Sequence, residues 1–185
     1  DFGVKLIQIC WRKAADDEEQ ANKSLTTFGF ELIERGKYDL AVKVFEFYLS
    51  LRGKKDEVSR KMSLVNLSNA YRLNGKIKES DAVLEGEDWS ASNDDFQISI
   101  AAVKGDVDLV VKLMRRLGKK WGNSGSDFEE WPVFYHIRDD ARFLQEFYGI
   151  FGRTFVPKAR QRKGILDVLR DIQENENVRL KIKDE

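Results

Sequence analysis

The residues able to do chemistry are few and far apart. His136, in the run Val-Phe-Tyr-His-Ile-Arg-Asp-Asp, is the only histidine. Asp139 and Asp140 follow closely, and a carboxylate that orients an imidazole would make a general base. No serine or cysteine nucleophile stands beside it, so His136 reads as a partly buried structural residue. Cys10 is the only cysteine and sits in an apolar stretch, the setting of an inert core thiol. One histidine and one cysteine cannot build a four-ligand zinc site. The acids Asp16, Asp17, Glu18 and Glu19, and the pair Asp94 and Asp95, stand where helices would begin and complement the helix dipole there. The segment 118–125, Gly-Lys-Lys-Trp-Gly-Asn-Ser-Gly, has neither the spacing nor the strand–helix context of a phosphate loop. Hydrolase and kinase signatures are absent. The expectation is a chain that is not an enzyme and carries no metal or cofactor.

Two basic clusters remain. One is Arg115, Arg116, Lys119 and Lys120. The other is Arg153, Lys158, Arg160, Arg162 and Lys163, near Phe155. Basic residues interleaved with aromatics can track a nucleic-acid backbone. Yet 32 basic and 32 acidic residues cancel, so bulk charge does not favour a polyanionic partner. Nucleic acid stands as the lesser alternative, and no membrane partner is expected.

The elements that must position these residues are helical. Hydrophobic residues make up 42% and charged residues 35%, enough for a core under a strongly solvated surface. Two prolines favour helices over a loop-rich β fold. No apolar run is long enough to span a bilayer. The first residues, Asp-Phe-Gly-Val-Lys-Leu, lack the features of a signal peptide. A start at Asp1 suggests a domain cut from a longer protein. A single cysteine points to a reducing, cytoplasmic setting.

Three glycines punctuate the chain: Gly36, Gly75 and Gly105. An apolar helical stripe precedes each, and another follows. Around Gly36 they are Leu25, Phe28, Leu32 and Ile33, then Tyr38, Ala41, Phe45 and Tyr48. Around Gly75 they are Leu64, Leu67 and Tyr71, then Ile77, Ser80 and Leu84. Around Gly105 they are Phe96, Ile100, Ala101 and Val103, then Val107, Val110, Met114 and Leu117. Such spacing marks one face of a helix, and a glycine closing the first helix turns the second back upon it. Each unit is therefore an αα-hairpin. Residues 139–152 read as a further helix, begun by Asp139 or Asp140, buried through Phe143, Phe147, Ile150 and Phe151, and stopped by Gly152. This helix would cap the array. Val4, Ile7 and Trp11 share a face of an N-terminal helix, and Gly118 to Pro132 has the composition of a connector.

Gly29, Leu32, Gly36, Tyr38, Ala41 and Phe45 resemble a tetratricopeptide repeat. Leu64, Leu67, Ser68, Tyr71, Gly75, Ile77, Ser80 and Leu84 follow the pattern less closely. Ala101, Gly105, Val107, Val110 and Met114 follow it loosely. The repeat's tryptophan and closing proline are absent. The third unit also resembles the two-helix core of an ankyrin repeat, without a Thr-Pro-Leu-His equivalent before it. The tetratricopeptide resemblance covers roughly residues 20–118. It implies an all-α fold: a right-handed α-α superhelix of about three such hairpins with flanking helices. The divisions are 1–19, a flanking helix; 20–118, the array; 119–152, connector and cap; and 153–185, a basic and polar segment.

The resemblance also implies a function: a protein-interaction scaffold whose first helices line a concave face that binds a protein or peptide. The positions carried over are Lys23, Thr26, Phe30 and Glu34; Met62, Val65, Asn69 and Arg72; and Ser92, Asp95 and Ser99. Phe30 and Arg72 are the preferred anchors, since aromatic and arginine side chains dominate interface energies. Of the positions with which co-chaperone repeats grip a peptide carboxylate, only Asn66 is kept, so a chaperone-tail clamp is not expected. The alternative is a regulatory or sensor segment of a larger enzyme or nucleic-acid-acting protein, working through the basic clusters.

Overall fold

A computed structural model describes residues 18–52, 55–120 and 125–157. Among these residues the fold is all-α, with eight α-helices and no strand. The helices are α1 (Glu18–Glu34), α2 (Tyr38–Ser50), α3 (Glu57–Leu73), α4 (Ile77–Glu85), α5 (Asp94–Lys104), α6 (Val107–Leu117), α7 (Ser126–Glu130) and α8 (Ala141–Phe151). Two 3-10 turns, Gly118–Lys120 and Pro132–His136, lie between α6 and α8. None of the described helices is long and apolar enough to cross a membrane. The expected N-terminal helix with Val4, Ile7 and Trp11, and the basic residues Lys158, Arg160, Arg162 and Lys163, lie outside the described residues.

One turn is used three times. Gly36, Gly75 and Gly105 adopt φ of 69°, 76° and 74°, where a Cβ would be strained. At the first, the amide of Lys37 donates to the Leu32 carbonyl at 2.8 Å and that of Gly36 to Ile33 at 2.9 Å. At the second, Lys76 donates to Tyr71 and Gly75 to Arg72. At the third, Asp106 donates to Ala101 and Gly105 to Ala102. This paired pattern satisfies carbonyls that the ending helix leaves without partners. It folds α2 onto α1, α4 onto α3, and α6 onto α5.

The hairpins close through different chemistry. In the first, a Cβ on Gly29 would lie 2.6 Å from the tip of the Phe45 ring, so only glycine admits that ring. In the second, the Ser68 and Ser80 hydroxyls meet at 2.8 Å, and Ser68 also approaches the Ser80 carbonyl at 3.0 Å, all buried. In the third, Ile98 and Val110 are fully buried hydrocarbons.

Starts are set by short acceptors. Asp56, Asn93, Asp106 and Asp140 each accept a backbone N–H in the first turn of α3, α5, α6 and α8. Lys37 and Lys76, which precede α2 and α4, have no side-chain acceptor to offer, so those two helices start without a side-chain cap.

Two apolar cores share α3. Leu25, Leu32, Ile33, Val44, Phe45 and Tyr48 of the first hairpin pack with Leu67 and Ala70. Val65, from another side of α3, joins the core built by α5, α6, α8 and the segment around Phe128 and Phe134. There Phe128, Phe143, Phe147 and Phe155 form an aromatic cluster with ring separations of 5.2–6.4 Å across neighbouring pairs. The cap helix begins at Ala141, behind Asp140, and Gly152 ends it with φ 68°. Its Phe143 and Phe147 are buried, while Ile150 and Phe151 are partly so. The stretch expected to be a bare connector contains α7, with Phe128 and Glu129 buried.

Candidate interaction groove

The first helices of the three hairpins meet at one open cleft of about 360 Å³. α1 supplies Phe30, α3 supplies Met62 and Asn66, and α5 supplies Asp95. The far wall is α7 and the residue after it: Asp127, Glu130 and Trp131. Phe30, Met62 and Asp95 thus line one cleft.

The other expected positions are placed differently. Val65, Asn69 and Ser99 are each 0% exposed, so their side chains are core. The Ser99 hydroxyl donates back to the Asp95 carbonyl within α5. Thr26 donates to the Lys23 carbonyl at 3.0 Å, a local bond on α1, and Lys23 is exposed. Ser92 accepts from the Lys61 ammonium at 3.2 Å. Lys61 and Arg60 together tie the connection after α4 to α3, Arg60 through a two-pronged pairing with Glu87 at 2.7 and 2.8 Å. Arg72 reaches Asp81 at 3.1 Å and the Lys104 carbonyl at 3.3 Å, so it joins α3 to α4 and to the end of α5. A side chain so engaged is a brace rather than an open anchor.

Part of the surface of α3 and α5 is covered by the protein itself. The turn Pro132–His136 packs on α3 and α5. His136 Nε2 lies 2.9 Å from Asn69 Oδ1. Burial, and then the nearby Arg72 cation, push the His136 pKa down to about 4. The ring is therefore neutral at pH 7, and its Nε2–H donates to the Asn69 carbonyl oxygen. Burial raises the pKa of Tyr135 next door, and the charge of Glu34 adds to the shift. That places this turn beside the end of α1. Asp140, which the sequence offered as one group able to orient His136, caps α8 and pairs with Arg142 at 2.9 Å.

The three described arginines of the two basic clusters are engaged by acids. Arg115 pairs with Glu146 at 2.7 Å, and Arg116 pairs with Asp94. Arg153 grips Glu129, whose carboxylate is wholly buried, and lies 5.1 Å from the centre of the Phe147 ring. Arg153 belongs to the core's edge, which charge counting along the sequence does not reveal.

A wider cleft of about 620 Å³ lies between α6 and α8. Its charges are largely answered within it, through Arg115 with Glu146 and Arg142 with Asp108 at 2.6 Å. The smaller cleft differs. Among the described residues, Asp95, Asp127 and Glu130 form no salt bridge and no lysine or arginine lines the space. The Asn66 side chain is 6% exposed, and its Oδ1 has no hydrogen-bond partner. Sequence reasoning missed Asp127, Glu130 and Trp131. Their signal was the acidic and aromatic run Asp-Phe-Glu-Glu-Trp, set within a loop-like composition. No family model matches the chain, and no curated protein or solved structure matches it.

Proposed function

We propose that this chain is a protein-interaction module, a tetratricopeptide-like array stacked as a right-handed superhelix, which binds a partner protein or peptide in the cleft between α1, α3, α5 and α7. The observation that carries this reading is the convergence of Phe30, Met62 and Asp95, one or more from the first helix of each hairpin, on a single open cleft. Half-buried aromatic and thioether groups beside unanswered carboxylates suit recognition of a chain with mixed character. A reducing compartment, the cytoplasm, fits a sequence with one cysteine. Selection of a displayed peptide library on the intact chain tests the reading. Selected peptides should lose about 5- to 150-fold in affinity on Phe30→Ala while the melting temperature holds, the range of an anchor of about 1–3 kcal/mol. Peptides indifferent to Phe30→Ala and to Met62→Ala would place binding elsewhere and overturn the proposal.

A further inference from the structure

We infer that the cleft takes a cationic side chain, the guanidinium or ammonium group of an Arg or Lys in a basic segment of a partner protein. This deepens the reading above and rests on it. Among the described residues, every charged group on the wall is an acid: Asp95 from α5, Asp127 and Glu130 from α7. None is matched by a cation among the described residues. Glu129, beside Glu130, shows the contrast, since it faces inward and has Arg153. Phe30 and Trp131 add aromatic surface, which attracts a cation through the negative faces of its rings.

Asn66 also lines the cleft, but its Oδ1 is closed off from solvent. The wall therefore presents carboxylate oxygens from three residues. A guanidinium has five N–H donors and no acceptor, and an ammonium has three donors and none. The size of the opening separates an organic cation from a metal ion. Among the described residues no three His, Cys, Asp or Glu side chains converge closely enough to share an ion. The acids instead surround a space of about 360 Å³, room for a side chain with its carbon stem.

Two synthetic peptides test this. One is an alanine-based peptide with arginine at three alternate positions, and the other replaces each arginine by citrulline, which keeps the shape and loses the charge. Titration calorimetry on the intact chain should find the arginine peptide at least about tenfold tighter, with an affinity that falls as salt rises. Asp127→Asn combined with Glu130→Gln should remove about tenfold of that affinity, as loss of close charge partners does, whereas Asp108→Asn in the other cleft should not. Equal binding of the two peptides, or no loss in the double variant, overturns the inference. If the arginine peptide binds only after Lys158, Arg160, Arg162 and Lys163 are neutralised, the chain's own basic segment is the occupant and the partner assignment falls. Self-association abolished by the same double variant would assign the cleft to a second copy and likewise overturn it. Library peptides that compete at Phe30 but lack Lys and Arg leave the interaction reading standing and overturn only the cationic one.

Discussion

His136 illustrates how a single residue links the fold to pH. Its folded pKa of about 4 lies below the ordinary histidine value near 6.5. The unfolded chain therefore takes up the proton first as pH falls. The stability held by the neutral ring is full above about 6.5 and is lost progressively down to about 4. Melting temperatures should drop across the upper part of that window, before the carboxylates of Asp56 and Glu87 titrate, since the hydrogen bonds of Ser59 and Arg60 hold these low. His136→Gln should flatten the profile between about pH 6.5 and 5, and an unchanged slope would place the titration in another group. Two glycines give a second contrast at this scale. Alanine gains up to about 1 kcal/mol over glycine inside a helix. Gly149, in α8, has open space around its Cβ position, so Gly149→Ala should stabilise by about 0.5–1 kcal/mol. Gly29→Ala should destabilise by about 1–3 kcal/mol despite the same gain, because the buried Phe45 ring has no room to retreat. Urea titrations of the two variants read out the sign directly. The sequence marked Gly29 as a small position and Phe45 as an apolar one, but did not pair them. It marked His136 as structural but could not supply Asn69, which lies 67 residues away.

Among the elements, the hairpins were legible because their turns are local. A glycine between two amphipathic stripes has one common solution, and it recurs at Gly36, Gly75 and Gly105. α7 was not legible, because Gly125, Ser126 and Asp127 have the composition of a loop. What holds that short helix is non-local: Phe128 enters the aromatic cluster, and Glu129 is clasped by Arg153 and by the Val156 amide at 3.0 Å. A buried carboxylate with its cation removed is strongly destabilising. Arg153→Ala should therefore lower stability by about 3–5 kcal/mol, while Arg153→Ala with Glu129→Gln should recover part of the loss. Additive losses in a denaturation cycle would show that the two side chains act separately. The groove shares this division between local and distant. Phe30, Met62 and Asp95 were singled out along the sequence, whereas Asp127, Glu130 and Trp131 arrive on an element that only the tertiary fold brings near.

For the whole molecule, the balance of 32 basic and 32 acidic residues conceals an uneven surface. The pairs Arg115 with Glu146, Arg116 with Asp94 and Arg142 with Asp108 use charge to join helices, while the acids at the cleft are left unanswered. Composition gives the sum, and only the packing decides which charges cancel in space. The shared helix α3 has a larger consequence. The hairpin of α1 and α2 belongs to one of the two cores, and α3 supplies that core's opposing wall through Leu67 and Ala70. A single connection, between Ser50 and Glu57, leads from that hairpin to the wall it covers. Two chains that traded these hairpins would rebuild every contact of that core, each laid on the other's α3. Only the path of the connection would change, so the same packing that closes one molecule also provides the template for a domain-swapped dimer at high concentration.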